Sequence, residues 1–199
     1  MYEVLNRNAF LVAQQADWKG AGNYNIHDPE SGELLLECRE DNLNMAISAL
    51  RNFHPKLTPF KIQIRLPTGQ PLLLVSREGS VTFPKPITAR MADGYVVGVF
   101  KQKLLSKVTD SYEIFGPNAQ LIYNMKCDLW ALGWRFYSGD VEQAKIMLAT
   151  NLPAAAAEAA AGTSYNCVIH IHPAVPANSL QRQLILSASI GAHMSFKRE

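Results

Sequence analysis

His170 and His172 stand two apart in an alternating run, Tyr165-Asn166-Cys167-Val168-Ile169-His170-Ile171-His172. On an extended strand that spacing puts both imidazoles on one face, as in some zinc sites, and leaves Ile169 and Ile171 on the other. A metal needs a third ligand, and nothing near these histidines supplies one in sequence. The pair therefore reads as the outer polar face of a strand whose inner face is apolar. Cys127-Asp128 and Cys167 would be nucleophiles only beside a base, and a cysteine buried in a strand is more commonly a small hydrophobe. The chain has no Gly-rich phosphate loop, Gly-x-Ser-x-Gly elbow or His-Glu-x-x-His helix. No catalytic residue, metal site or cofactor is expected, and the protein is expected to bind rather than to catalyse.

The elements that would carry any site are announced by a repeated phrase: aromatic-x-Ile, a turn with Pro or Gly, then Leu or Ile leading out. It runs from Tyr24-Asn25-Ile26 through Pro29 and Gly32 to Leu34-Leu35-Leu36, and from Phe60-Lys61-Ile62 through Pro67 and Gly69 to Leu72-Leu73-Leu74. It returns as Tyr112-Glu113-Ile114, Gly116-Pro117-Asn118-Ala119, Leu121-Ile122, and more faintly from Trp134-Arg135-Phe136 to Ile146. Each copy predicts a β-hairpin, since alternate residues of a strand share a face and tight turns favour Gly or Asn. A barrel or sandwich follows.

A chain of 199 residues is read as a single domain, 1–199, able to bury a real core. With 18% charged residues and a net charge of +2, it carries no signature of a nucleic-acid partner. The three cysteines, Cys38, Cys127 and Cys167, are odd in number and widely spaced, which fits a reducing, cytoplasmic setting better than a disulfide framework. The first residues carry no basic leader ahead of an apolar block, so no secretory signal is expected.

Between the hairpins, residues 1–16 read as a strand pair. Cys38 to Arg51 reads as a helix with Leu43, Ala46, Ile47 and Leu50 on one face, ended by Pro55 and Pro59. Ser80 to Ile87 reads as a proline-marked edge strand. The Ala154–Ala161 run reads as a short helix or loop with no face to bury. Leu180 to Phe196 is apolar on nearly every side, yet shorter than the roughly 20 residues a spanning helix needs, so it is expected to lie inside protein. Asn178 or Ser179 would cap its start.

Gly94-Tyr95-Val96-Val97 ahead of a basic-aromatic strand, the Tyr112-Glu113-Ile114 hairpin, the Trp134-x-Phe136 strand and a closing apolar helix resemble the phospholipid scramblase and LURP-one-related families. These have the fold of the tubby C-terminal domain, and the likeness covers the chain from about Tyr24 onward. The resemblance implies a closed antiparallel barrel of about twelve strands around a central C-terminal helix.

For function, the resemblance implies action at a membrane surface through phospholipid or phosphoinositide binding, with lipid scrambling between leaflets as the alternative and a metal- or cysteine-dependent enzyme more distant. A protein partner also remains open. The lipidated cysteine cluster and acidic calcium segment of scramblases have no counterpart here: Cys38 stands alone, and 159–166 contains no carboxylate to supply calcium with hard oxygen ligands. Tubby-type domains bind headgroups through basic side chains on the barrel, and Lys101, Lys103 and Lys107 are the candidates for that role. Each cation near an anionic membrane adds about 1 kcal/mol. The same lysines would also suit a solvated strand edge. Arg77, Lys85 and Arg90 are weaker candidates for the same patch. Trp18, Trp130 and Trp134 would stack on bases or, more in keeping with a barrel, pack its core and rims.

Overall fold

The computed structural model describes residues 3–16, 22–41, 43–103, 111–128 and 133–195. After a 3-10 turn at Glu3–Asn6, the chain forms β1 (Ala9–Gln15), β2 (Tyr24–His27), β3 (Leu34–Glu40), α1 (Met45–Phe53), β4 (Phe60–Arg65), β5 (Pro71–Arg77) and β6 (Ile87–Met91). It continues through β7 (Val96–Gln102), β8 (Ser111–Phe115), β9 (Leu121–Asp128), β10 (Gly133–Ser138), β11 (Val141–Leu148), α2 (Ala154–Ala159), β12 (Thr163–Ile171) and α3 (Leu180–His193). Each strand pairs antiparallel with the next, and β1 pairs with both β2 and β12. The sheet is thus a closed barrel of twelve strands.

Because the strands alternate in direction, the connections sort to two ends. The tight turns β2–β3, β4–β5, β6–β7, β8–β9 and β10–β11 lie at one end, and the longer connections, among them those holding α1 and α2, lie at the other. Each tight turn contains a residue with left-handed backbone: Gly32, Gly69, Gly94 and Gly139 in four of them, with φ of 73°, 89°, 91° and 58°, and Ala119, φ 58°, in the fifth. Glycine takes that conformation without a Cβ penalty, whereas alanine is strained there.

The inward residues of every strand enclose α3, whose eleven consecutive residues Arg182–Ala192 are all buried. A helix surrounded by a closed sheet has no outer face to keep polar, which accounts for the apolar character read all round this segment. Close approach depends on small residues of the wall as well as of the helix. A Cβ at Gly98 would stand 2.4 Å from Leu184 Cδ2 and 2.4 Å from the Phe115 carbonyl oxygen, while one at Gly191 would stand 3.1 Å from Ile87.

Arg182 fixes the entry of α3. Its guanidinium donates to the carbonyls of Asn6 (3.1 Å), Arg7 (2.8 Å) and Val175 (2.9 Å) and to Asn8 Oδ1 (2.8 Å), tying the helix to the start of β1. Ser179 occupies the N-cap position without a side-chain hydrogen bond, and Asn178 instead joins Asn6. At the far end His193 Nδ1 lies 3.1 Å from the Tyr24 hydroxyl, which donates to Met194 Sδ at 3.1 Å, and its ring stacks on Tyr165 at 4.6 Å.

Four sequence expectations need correction. Residues 3–15 form a 3-10 turn and one strand, not a strand pair. The helix after β3 begins at Met45, because Cys38, Arg39 and Glu40 continue β3 into its ladder with β4. Residues 78–86 form a connection rather than an edge strand; only Ile87–Met91 pairs, on both sides, since a closed barrel has no edge. The alanine run does bury a face: Ala156 and Ala160 pack against Leu11 and Ala13 on the outer wall of β1, where residues this small can approach a sheet closely.

Candidate cationic face of the barrel

The outward residues of β7–β12 bring together cations that lie far apart in sequence. Strand register sets Lys126 directly opposite both Ser111 and Arg135, Arg135 opposite Lys145, and Lys145 opposite His170. The Lys103 amide donates to the Ser111 carbonyl at 2.9 Å, so Lys103 heads the same row. With strands about 4.8 Å apart, the row from Lys103 to His170 crosses six strands and covers about 24 Å of surface. Lys126, Arg135 and Lys145 occupy its middle, within about 10 Å.

Like charges placed directly opposite destabilise a sheet, so such a row costs stability unless something neutralises it. The protein does so in part. Lys103 Nζ bonds Glu113 at 2.8 Å and lies 3.4 Å from Asn124 Oδ1, and Arg135 bonds Glu142 at 2.8 Å. Lys126 rests over the Tyr137 ring at 5.3 Å, and Lys101 over the Phe115 ring at 4.8 Å. Lys145 has no ion-pair partner among the described residues. Among the described side chains two carboxylates, Glu113 and Glu142, face the five cations Lys101, Lys103, Lys126, Arg135 and Lys145. Partial burial first, and the Lys145 ammonium second, hold the His170 imidazole below its ordinary range.

Lys101 and Lys103 share the outer face of β7, whereas Lys107 lies outside the described residues. Arg77 does not join them. It is buried at 4% exposure, donates to the Thr58 carbonyl at 2.7 Å and to Ser195 Oγ at 2.9 Å, and lies 5.0 Å from the Phe60 ring centroid. Its guanidinium, drawn down to about 10 by burial, is a structural brace between α3 and the α1–β4 connection. Lys85 is exposed on the 78–86 connection, and Arg90 is half-buried on β6, which neighbours β7 but lies four strands from Arg135 on β10. Lys126, Arg135 and Lys145 went unread in the sequence; the available signal was their outward parity on β9, β10 and β11.

The other chemical candidates disperse. His170 faces outward on β12, while His172 lies beyond the strand and accepts from the Ala174 amide at 3.2 Å. Among the described residues no three His, Cys, Asp or Glu side chains gather as a metal site. Cys38 and Cys167 are buried, and burial pushes both thiols up to about 12, far from the thiolate a nucleophile requires. Trp134 faces inward and tilts against Tyr112 at 5.9 Å, while Trp18 and Trp130 lie outside the described residues.

Fold and face define a closed, mainly β barrel with a helix in its interior and a cationic strip on its outer wall. No protein-family model, curated protein or solved structure matches the chain. Among the described residues no helix is long and apolar enough to cross a membrane.

Proposed function

We propose that this protein is a non-catalytic, scramblase-related tubby-like barrel that binds anionic phospholipid headgroups at a membrane surface through the outer face of β7–β12. The observation that carries the reading is the cross-strand row Lys126–Arg135–Lys145, three cations held opposite one another at a cost to the sheet. A phosphate-bearing surface offsets that cost, since ammonium and guanidinium groups both donate charge-assisted hydrogen bonds to phosphate oxygens. The order of weak motifs that resembles scramblase and LURP-one-related chains supports the same reading.

Co-sedimentation with phosphatidylcholine vesicles carrying graded phosphatidylserine or phosphoinositide tests it. Wild type is expected to bind in proportion to anionic content and to weaken as salt rises, because screening at physiological ionic strength reaches only about 8 Å. At about 1 kcal/mol for each unpaired cation, and less for Arg135 because Glu142 pairs with it, Lys126→Gln/Arg135→Gln/Lys145→Gln should lose roughly thirtyfold or more in affinity while remaining folded. Lys101→Gln/Lys103→Gln should lose less, because Glu113 already neutralises Lys103. Wild type that ignores anionic vesicles, or a triple variant that binds as well as wild type, would refute the proposal.

A further inference from the structure

The long-connection end of the barrel exposes apolar side chains on two neighbouring segments. None of the nine residues of α1 is buried, and Met45 and Phe53 are each 78% exposed. On the β5–β6 connection Val81 is 93% and Phe83 65% exposed. These are not frayed positions. Asn44 Oδ1 caps α1 by accepting from the Ile47 amide at 2.8 Å, and Arg51 clamps the helix to Glu40 through two hydrogen bonds of 2.6 Å. The Ser80 amide donates to the Leu57 carbonyl at 3.0 Å, joining the two segments. A clamped helix with no fully buried residue, which leaves Met45 and Phe53 in solvent, holds those apolar side chains ready for something outside the described residues.

The charge at the same end says what that is. Lys103 follows the last residue of β7, Lys126 lies two residues before the end of β9, Arg135 two after the start of β10 and Lys145 three before the end of β11. Lys103 and Lys126 therefore sit toward the long-connection end and Arg135 and Lys145 near mid-strand, while beside the apolar segments Lys61 and Lys85 are exposed and, among the described residues there, Asp41 and Glu78 are the exposed carboxylates. The apolar side chains protrude on the β3–β6 side of this end, while Lys103 and Lys126 lie toward the same end on the β7–β9 side, so an anionic bilayer laid across the end, with phosphates at its surface and hydrocarbon beneath, meets both.

We infer that the barrel docks on anionic membranes end-on, with Met45, Phe53, Val81 and Phe83 entering the headgroup–acyl boundary while Lys103 and Lys126 of the cationic strip lie at the level of the phosphates. This rests on the headgroup reading above and adds to it a depth, an orientation and a binding component that salt does not screen.

The test uses vesicles of phosphatidylcholine and phosphatidylserine. Met45→Ser/Phe53→Ser/Val81→Ser/Phe83→Ser, whose melting should match wild type because all four side chains are exposed, is expected to lose about tenfold in affinity at low salt. At about 1 M salt, where the screening length is about 3 Å, wild type should retain binding that this variant lacks. An environment-sensitive fluorophore on Phe83→Cys, in a Cys127→Ser background that leaves only the buried Cys38 and Cys167, should shift to the blue on vesicle addition. The same label on Asn118→Cys, at the tight-turn end, should not shift. Wild type that binds anionic vesicles with no label shift and no effect of the four serines would overturn insertion while leaving the headgroup reading standing. Wild type that ignores the vesicles would overturn both. Self-association abolished by the four serines, with no label shift on vesicles, would assign the apolar end to a second copy of the chain and overturn insertion.

Discussion

Ala119 and His193 show how single residues set local limits on this barrel. Ala119 holds the left-handed position that glycine holds in the other four tight turns, so Ala119→Gly should relieve strain and raise stability by about 0.5–1 kcal/mol, read as a higher denaturation midpoint. His193 imposes a pH limit. With Nδ1 donating to the Tyr24 hydroxyl, Nε2 is sealed from solvent without a partner, and protonation would place there an N–H that nothing accepts. Burial draws this imidazole down to about 4, against about 6.5 in an unfolded chain. A folded-state value below the unfolded one means the stabilisation is complete above pH 6.5 and is lost as pH falls toward 4. Melting temperature should therefore drop across that window, by no more than about 1.4 kcal/mol of stability per pH unit from this group. His193→Gln should flatten the drop, and an unchanged profile would remove His193 as its source.

At the scale of elements, α3 and its wall carry the fold. Ile190 is 1% exposed and Leu186 likewise 1%, so Ile190→Asp or Leu186→Asp places an unpaired charge inside the barrel, at a cost above about 4 kcal/mol. Loss of the cooperative melting transition is the expected result; a wild-type melting temperature would contradict the enclosed helix. Gly98→Val tests the same packing from the wall, since even a Cβ meets Leu184 and the Phe115 carbonyl. It should destabilise by about 1–3 kcal/mol in a urea titration, although valine is the better strand former. The hairpins and α3 were legible because their signals are local: a turn residue between alternating runs, or a long segment without a polar face. Lys126, Arg135 and Lys145 were not, because residues nine and ten positions apart become neighbours only through the registers of β9, β10 and β11. The start of α1 was misplaced for a related reason. Cys38 and Glu40 take their conformation from pairing with Ile64 and Ile62, partners more than twenty residues away. Likewise the alanine run buries Ala156 and Ala160 only because Leu11 and Ala13 lie under them.

For the whole molecule, stability should not respond to calcium. The stretch 159–166 has no carboxylate, and a ligand raises stability only as it occupies the native state. Millimolar calcium is expected to leave the melting temperature unchanged, and a clear rise would restore the calcium analogy with scramblases.

Closure of the barrel by β1 against β12, with α3 threaded through the middle, also dictates a timetable. The first strand finds one of its two neighbours only after some 150 further residues have been made, and the helix every strand packs around is synthesised later still. During elongation, the inward side chains of the hairpins have no interior to enter, and β1, although paired with β2, keeps its β12-facing edge open. Native structure should therefore appear in one late step, after α3 has left the ribosome, and the growing chain should depend on chaperones that shield apolar strands until then.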